Sequence, residues 1–148
     1  MPTYGEQRWN PEAASSAQWE PVEQNRAVIV RAASPPLTAT GATDAQVNRN
    51  FKGVKIYLKV QSLNAGTLDA KVQTKDPASE DWADLAGASW PQKNAVDAVA
   101  DPLTIYPGIA ETGNESVSDV IGRDWRVHFT LAGGATSALV TVGAHYIG

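Results

Sequence analysis

Two histidines, His128 and His145, are the first side chains to weigh for chemistry, since imidazole titrates near neutrality and ligates metals. Each sits in a period-two run near the end of the chain, Trp125–Leu131 and Ala138–Ile147. A metal site or an acid–base pair needs both rings on one face and close together. Matching the apolar faces of the two runs as a hairpin pairs Trp125 with Tyr146 and Phe129 with Val142. It then sets His128 opposite Gly143 and Arg126 opposite His145. The rings fall out of step, and a cation stands beside one of them. The expectation is a pair of ordinary strand-surface histidines and no metal site.

Carboxylates gather at Glu80, Asp81 and Asp84, at Asp97 and Asp101, and at Glu111, Glu115 and Asp119. Glycoside hydrolysis needs two carboxyls facing each other across a cleft, and proximity along loops supplies no such geometry. Solvated turn acids are the expected reading. A loop-bound calcium is the alternative, because a hard cation needs only several oxygens; no EF-hand spacing is present. No G-x-S-x-G occurs, and no serine has a recognisable base and orienting acid. Gly133-Gly134 lacks the spacing and the lysine of a phosphate loop and suits a turn. There is no cysteine, which excludes disulfides, thiolate metal sites and a cysteine nucleophile. The chain therefore reads as a binding protein, with no catalytic residue, no cofactor and no enzyme activity.

Aromatic residues are the better candidates for contact. Trp82, Trp90 and Tyr106 lie in the loop-rich middle, where they either cap the open end of a β-sandwich or form a surface platform for a sugar. Tyr4, Trp9 and Trp19 lie in a polar segment with three prolines, Pro2, Pro11 and Pro21, and no sustained period. Each tryptophan can bury about 150–250 Å², so a solvated tail has little use for it. Either these rings fold back on their own domain or they anchor residues 1–24, an extended N-terminal arm, on a neighbouring protein.

The elements that must position these groups are strands. Gly53–Ser62 alternates strictly, with Val54, Ile56, Leu58 and Val60 on one face, and Thr67–Lys75 repeats the pattern with Leu68, Ala70 and Val72. Asn64, Ala65 and Gly66 supply turn chemistry between them. The expected hairpin pairs Val60 with Leu68, Ile56 with Val72 and Lys59 with Asp69. Arg26–Ala32, Trp82–Leu85 and Leu103–Tyr106 add shorter strands, and 37–50 and 110–119 read as loops. No helix of ordinary length is evident; Ser116–Ile121 is the nearest candidate, a turn and a half at most. Six to eight short strands over 25–148 predict an all-β, antiparallel sandwich or barrel.

Bulk properties agree. The chain has 148 residues, 43% hydrophobic and 19% charged, with net charge −4. No basic footprint for nucleic acid is present. No apolar run approaches the length of a membrane span, and Met1–Asn10 lacks the order of a signal peptide. The expectation is a protein made and used in the cytoplasm or carried out in an assembly, with neither nucleic acid nor membrane as partner.

Four phrases in order carry a family resemblance: GVKIYLKV at 53–60, TLDAKVQTKDPASEDWADL at 67–85, LTIYPGIAETGNESVSDVIGRDWRVHFTL at 103–131 and ALVTVGAHYIG at 138–148. From Phe51 to Gly148, about two thirds of its length, the chain resembles small virion structural proteins of tailed phages. The resemblance implies a β-sandwich on the capsid surface of a virion. It implies a capsid decoration (cement) protein that binds the major capsid protein lattice, self-associates as a trimer and stabilises the mature shell. The alternative within the same particle is a tail, neck or fibre component that contacts host glycans. The resemblance transfers no catalytic residue.

Overall fold

Short runs of alternating polarity fold into a series of β segments along a computed structural model that describes residues 7–9, 19–21 and 25–148, with 7–9, 19–21 and 25 described by backbone alone. In order they are β1 (Gln7–Trp9), β2 (Trp19–Pro21), β3 (Asn25–Arg31), β4 (Gly41–Ala42), β5 (Gln46–Val47), β6 (Gly53–Leu63), β7 (Thr67–Lys75), β8 (Trp82–Ser89), β9 (Asp101–Ile105), β10 (Ser116–Val117), β11 (Asp124–Ala132) and β12 (Ala138–Ile147). Among the described residues there is no helix. Ser116–Ile121 begins as strand β10, which runs parallel to β9, and is not helical.

Two five-stranded sheets pack face to face as a β-sandwich. The first has the order β10-β9-β6-β12-β3; the second has the order β4-β11-β7-β8, with β5 also on β11. Apart from β10 on β9, the pairings are antiparallel. Inward positions of both sheets make one core, in which Val54, Ile56, Leu58, Val60, Leu68, Val72, Leu103, Ile105, Trp125, Val127, Phe129 and Val140 have no exposed surface. Each such side chain contributes roughly 1.5–3 kcal/mol by leaving water. The inward faces of 53–63 and 67–75 are those the alternation predicts.

Both expected hairpins are absent, because each turn carries the chain from one sheet to the other. β6 pairs with β12 and β9, and β7 pairs with β11 and β8. Val60 therefore lies beside Val140, Ile56 beside Ala144 and Leu103, and Lys59 beside Thr141; Val72 lies beside Val127 and Asp69 beside Thr130. In the same way β11 and β12 belong to opposite sheets. Alternation states which side chains face inward, and two inward faces can meet either by pairing edge to edge or by stacking across a core.

The two crossing turns clasp each other, which favours stacking. The Asn64 side-chain oxygen accepts from the backbone N–H groups of Thr136 and Ser137, both at 3.0 Å, and the Asn64 amide donates to the Thr136 hydroxyl at 2.8 Å. Gly66 has φ +66° and Gly133 has φ +64°, a region that a side chain disfavours. A Cβ on Gly66 would run into the Ala132 carbonyl, so the close approach of the turns requires glycine.

Residues 37–50, expected as loop, hold β4 and β5 along the outer edge of β11. Between them Thr43 donates its N–H to the Val127 carbonyl at 2.9 Å and accepts from the Val127 N–H through its hydroxyl at 3.1 Å. The Thr40 hydroxyl accepts from Leu131 N–H. Threonine hydroxyls thus stand in for missing ladder carbonyls. Two-residue strands of Gly, Ala and Gln show no readable period. In the arm, read from the sequence as extended, β1 and β2 form an antiparallel ladder with Trp9 and Trp19 as register partners.

Candidate functional site

The histidines stand on opposite outer faces of the sandwich. His128 on β11 has Lys71 and Ala42 as ladder neighbours; His145 on β12 has Lys55 and Ala27. Arg126 lies beside Gln73, not His145. The expected placements of His128 opposite Gly143 and Arg126 opposite His145 fail with the hairpin on which they rested. Burial lowers the basicity of His128, and the charges of Lys71 and Arg126 act in the same direction against the weaker pull of Asp84. Its Nδ1 is shielded from solvent and has no hydrogen-bond partner among the described residues.

Around His128 the outer face of the second sheet is a closed polar network. Lys71 donates to Asp84 at 2.8 Å, Gln73 donates to Asp84 at 3.0 Å, and Arg126 Nε donates to Gln73 Oε1 at 2.8 Å. Hydrogen bonds from Lys71 and then Gln73 hold the Asp84 carboxyl below the usual range. The Arg126 guanidinium stands 4.3 Å from the Trp82 ring centre, with Lys75 Nζ at 5.9 Å, distances at which a cation is drawn to the ring.

The other acids occupy separate settings. Asp97 and Asp101 both accept from Lys93 Nζ, at 3.0 and 2.8 Å, in a mostly shielded triad. Burial lowers the Lys93 basicity, but the bonds to Asp101 and Asp97 outweigh it and raise the net value. Asp97 also accepts from the Val60 N–H at 2.9 Å, and Lys93 exchanges two backbone bonds with Leu68. The triad therefore pins the 90–101 segment to both sheets. Glu111 accepts from Ser118 N–H and Asp119 from Val120 N–H, in another loop. Among the described residues no three of His, Asp and Glu group as a metal-ligand set.

The middle aromatics do not share a surface. Trp90 is 3% exposed and belongs to the core, with its indole donating to the Asp101 carbonyl at 2.9 Å. So buried a ring offers no surface contact, contrary to the sugar-platform alternative. Trp82 is half-buried in the second sheet, under Arg126. Tyr106, half-buried after β9, lies over Gly53, where a Cβ would strike its ring. Of the arm anchors, Tyr4 and the side chains of Trp9 and Trp19 lie outside the described residues.

Among the described residues, a feature built like a contact surface is on the outer face of the first sheet. There Gly143 of β12 lies between its ladder partners Ile29 of β3 and Tyr57 of β6. A residue without a side chain between two large ones makes a groove, of about 460 Å³, that continues past Thr141 to Ala100 and has a mostly apolar lining. Ile29 is 81% exposed on its wall, and Val99, beside Ala100 in the chain, is 76% exposed. Nothing fills the floor: a Cβ at Gly143 would find only the Val28 carbonyl, at 4.0 Å. β3 is also the edge of its sheet. The sequence conceals this groove, because Ala27-Val28-Ile29-Val30 is apolar throughout and does not reveal which residue points out.

No protein-family model, no curated protein and no solved structure matches this chain. Among the described residues no helix is long and apolar enough to cross a membrane.

Proposed function

We propose that this chain is a structural protein of a tailed-phage particle, a decoration protein that seats on the major capsid protein lattice and stabilises the mature shell. The observation that carries a contact role is the groove around Gly143, with Ile29 left in water beside an open sheet edge. A contiguous exposed apolar surface is one mark of a protein-contact site. The dispersal of histidines and acids over separate faces and loops supports the same reading, and the four ordered phrases direct it to the virion. The reading assigns the chain no catalytic step.

The physical mechanism is linkage. A protein that binds the mature lattice and not its precursor stabilises that lattice by mass action, and repetition over one shell adds avidity. The arm, with Tyr4, Trp9 and Trp19, supplies anchors to a neighbouring protein, as buried aromatics dominate interface energies.

Cryo-electron microscopy of particles carrying this chain, with its density located and its copies counted, tests the assignment. Many copies spread over the shell support it. A few copies at the tail or neck would replace it with the fibre or neck role, and absence from the particle would end both. Deleting residues 1–24 is expected to reduce capsid occupancy; unchanged occupancy and shell stability would reject the arm as an anchor.

A further inference from the structure

We propose that the groove around Gly143 receives the tryptophan-bearing arm of a second copy of this chain, so that the sandwiches join by exchanging arms. The proposal rests on reading the groove as a protein-contact surface, and it stands or falls without a capsid.

Charge is the first argument. The arm carries Glu6, Glu12, Glu20 and Glu23 against Arg8, a balance of −3 out of the chain's −4. The charged residues that line the groove are Arg31 and Lys59, both cationic. Lys55 lies one ladder step outside it, with its Nζ 5.7 Å from the Tyr57 ring. The acidic arm and the groove's two cations are therefore complementary, and opposite potentials both guide an encounter and set its register.

Shape is the second. The floor is glycine and the walls are Ile29 and Tyr57, leaving a slot open to a flat ring. The volume of about 460 Å³ falls within the range of pockets that hold ligands of this size. The arm brings Trp9 and Trp19 as backbone register partners on one ribbon.

Chain direction is the third, and it selects a second copy over the chain's own arm. The arm joins the domain at Asn25, which pairs with Ile147, four residues along β12 from Gly143. To enter its own groove the arm would have to reverse between Pro21 and Asn25. The link there is Val22-Glu23-Gln24, which contains none of the residues that make tight turns. The link of residues 22–24 spans at most about 10 Å, and the β1–β2 ribbon lies beyond it in the chain.

The test uses the full-length protein. A photoreactive phenylalanine analogue replaces Trp9 or Trp19, light- and heavy-isotope copies are mixed, and cross-linked peptides are identified by mass spectrometry. Oligomeric state is followed by sedimentation for the parent, for the double variant Trp9→Ala/Trp19→Ala, and for Gly143→Phe. Gly143 has no positive φ and open space above it, so that substitution fills the groove without disturbing the fold, which an unchanged unfolding midpoint confirms. The expected result is mixed-isotope cross-links to β3, β6 or β12 near the groove, and at least a tenfold weaker self-association in both variants. Cross-links confined to one copy, cross-links elsewhere, a parent that stays monomeric at high concentration, or a folded Gly143→Phe that associates like the parent would each overturn it. Loss of capsid binding with arm exchange intact would instead count against the decoration role alone.

Discussion

The indole N–H of Trp125 donates to the phenol oxygen of Tyr146 at 2.9 Å, and the two rings meet edge to face with centroids 6.2 Å apart. Trp125 belongs to the second sheet and Tyr146 to the first, so this bond joins the sheets through their core. Phe51 stacks on the Tyr146 ring at 5.1 Å between centroids. Replacing Tyr146 with Phe keeps the packing but leaves a fully buried N–H without an acceptor. The expected loss is about 1–3 kcal/mol, read from the urea midpoint at constant slope. A shift too small to measure would show that the bond contributes nothing net.

The clasp between the crossing turns predicts unequal outcomes at two glycines of similar backbone. Gly108 has φ +87° and open space around it, whereas a Cβ on Gly66 meets the Ala132 carbonyl. Gly108→Ala should destabilise by about 1–2 kcal/mol through its backbone alone. Gly66→Ala should lose clearly more, since a backbone carbonyl cannot swing aside. Equal losses in parallel denaturant curves would mean that the turns separate easily.

Removing Lys93 should matter far more than removing Lys75. The Lys93 side chain is 11% exposed between Asp97 and Asp101, while Lys75 faces Glu80 at 3.5 Å with the Glu80 side chain 75% exposed. Lys93→Met strands two carboxylates and is expected to cost about 1–3 kcal/mol, below the full figure for a sealed pair because water still reaches Asp101. Lys75→Met should stay within about 0.5 kcal/mol. Thermal unfolding of the two variants side by side decides this, and a reversed order would refute the pinning role of the triad.

Acid should weaken the fold in two stages. His128 is less basic folded than unfolded, so the unfolded chain takes up its proton first. Its contribution is intact above the unfolded pKa of about 6.5 and is lost progressively as pH falls from there through the lower folded value. Asp84 and Asp76 are held more acidic in the folded state. Their contributions persist above the unfolded value of about 3.9 and are lost only below it. Unfolding free energy measured from pH 7.5 to 5 should therefore fall in the parent and stay flatter in His128→Gln. Parallel curves would show that the imidazole is not the group responsible.

The strands that show themselves in the sequence are those whose two faces meet different solvents. Gly53–Leu63, Thr67–Lys75, Asp124–Ala132 and Ala138–Ile147 alternate because one face is core and the other water. Their partners stay hidden, since alternation is blind to whether a neighbour lies beside or opposite. The expected pairing of Trp125 with Tyr146 illustrates the point: the residues do touch, but across the core. β4, β5 and β10 are two residues long and depend on what runs beside them. The groove was illegible for a related reason: it is defined by a missing side chain at Gly143 and by an apolar run whose outward member, Ile29, only the edge position of β3 reveals.

The position of β12 bears on how the molecule comes into being. This strand lies between β6 and β3, bonded to both, although it follows them in the chain by many residues; Ala144 is flanked by Ile56 and Val28. During synthesis β3, β6 and β9 emerge first, and β6 can meet β9 while β3 waits without a partner. The first sheet becomes continuous only when Ala138–Ile147 has left the ribosome and slipped into the vacant lane. Folding is thus dominated by contacts between distant parts of the chain, a topology that forms in milliseconds to seconds. A ribosome stalled before residue 138 would hold a nascent chain with an unzipped centre, prone to sticking to its neighbours.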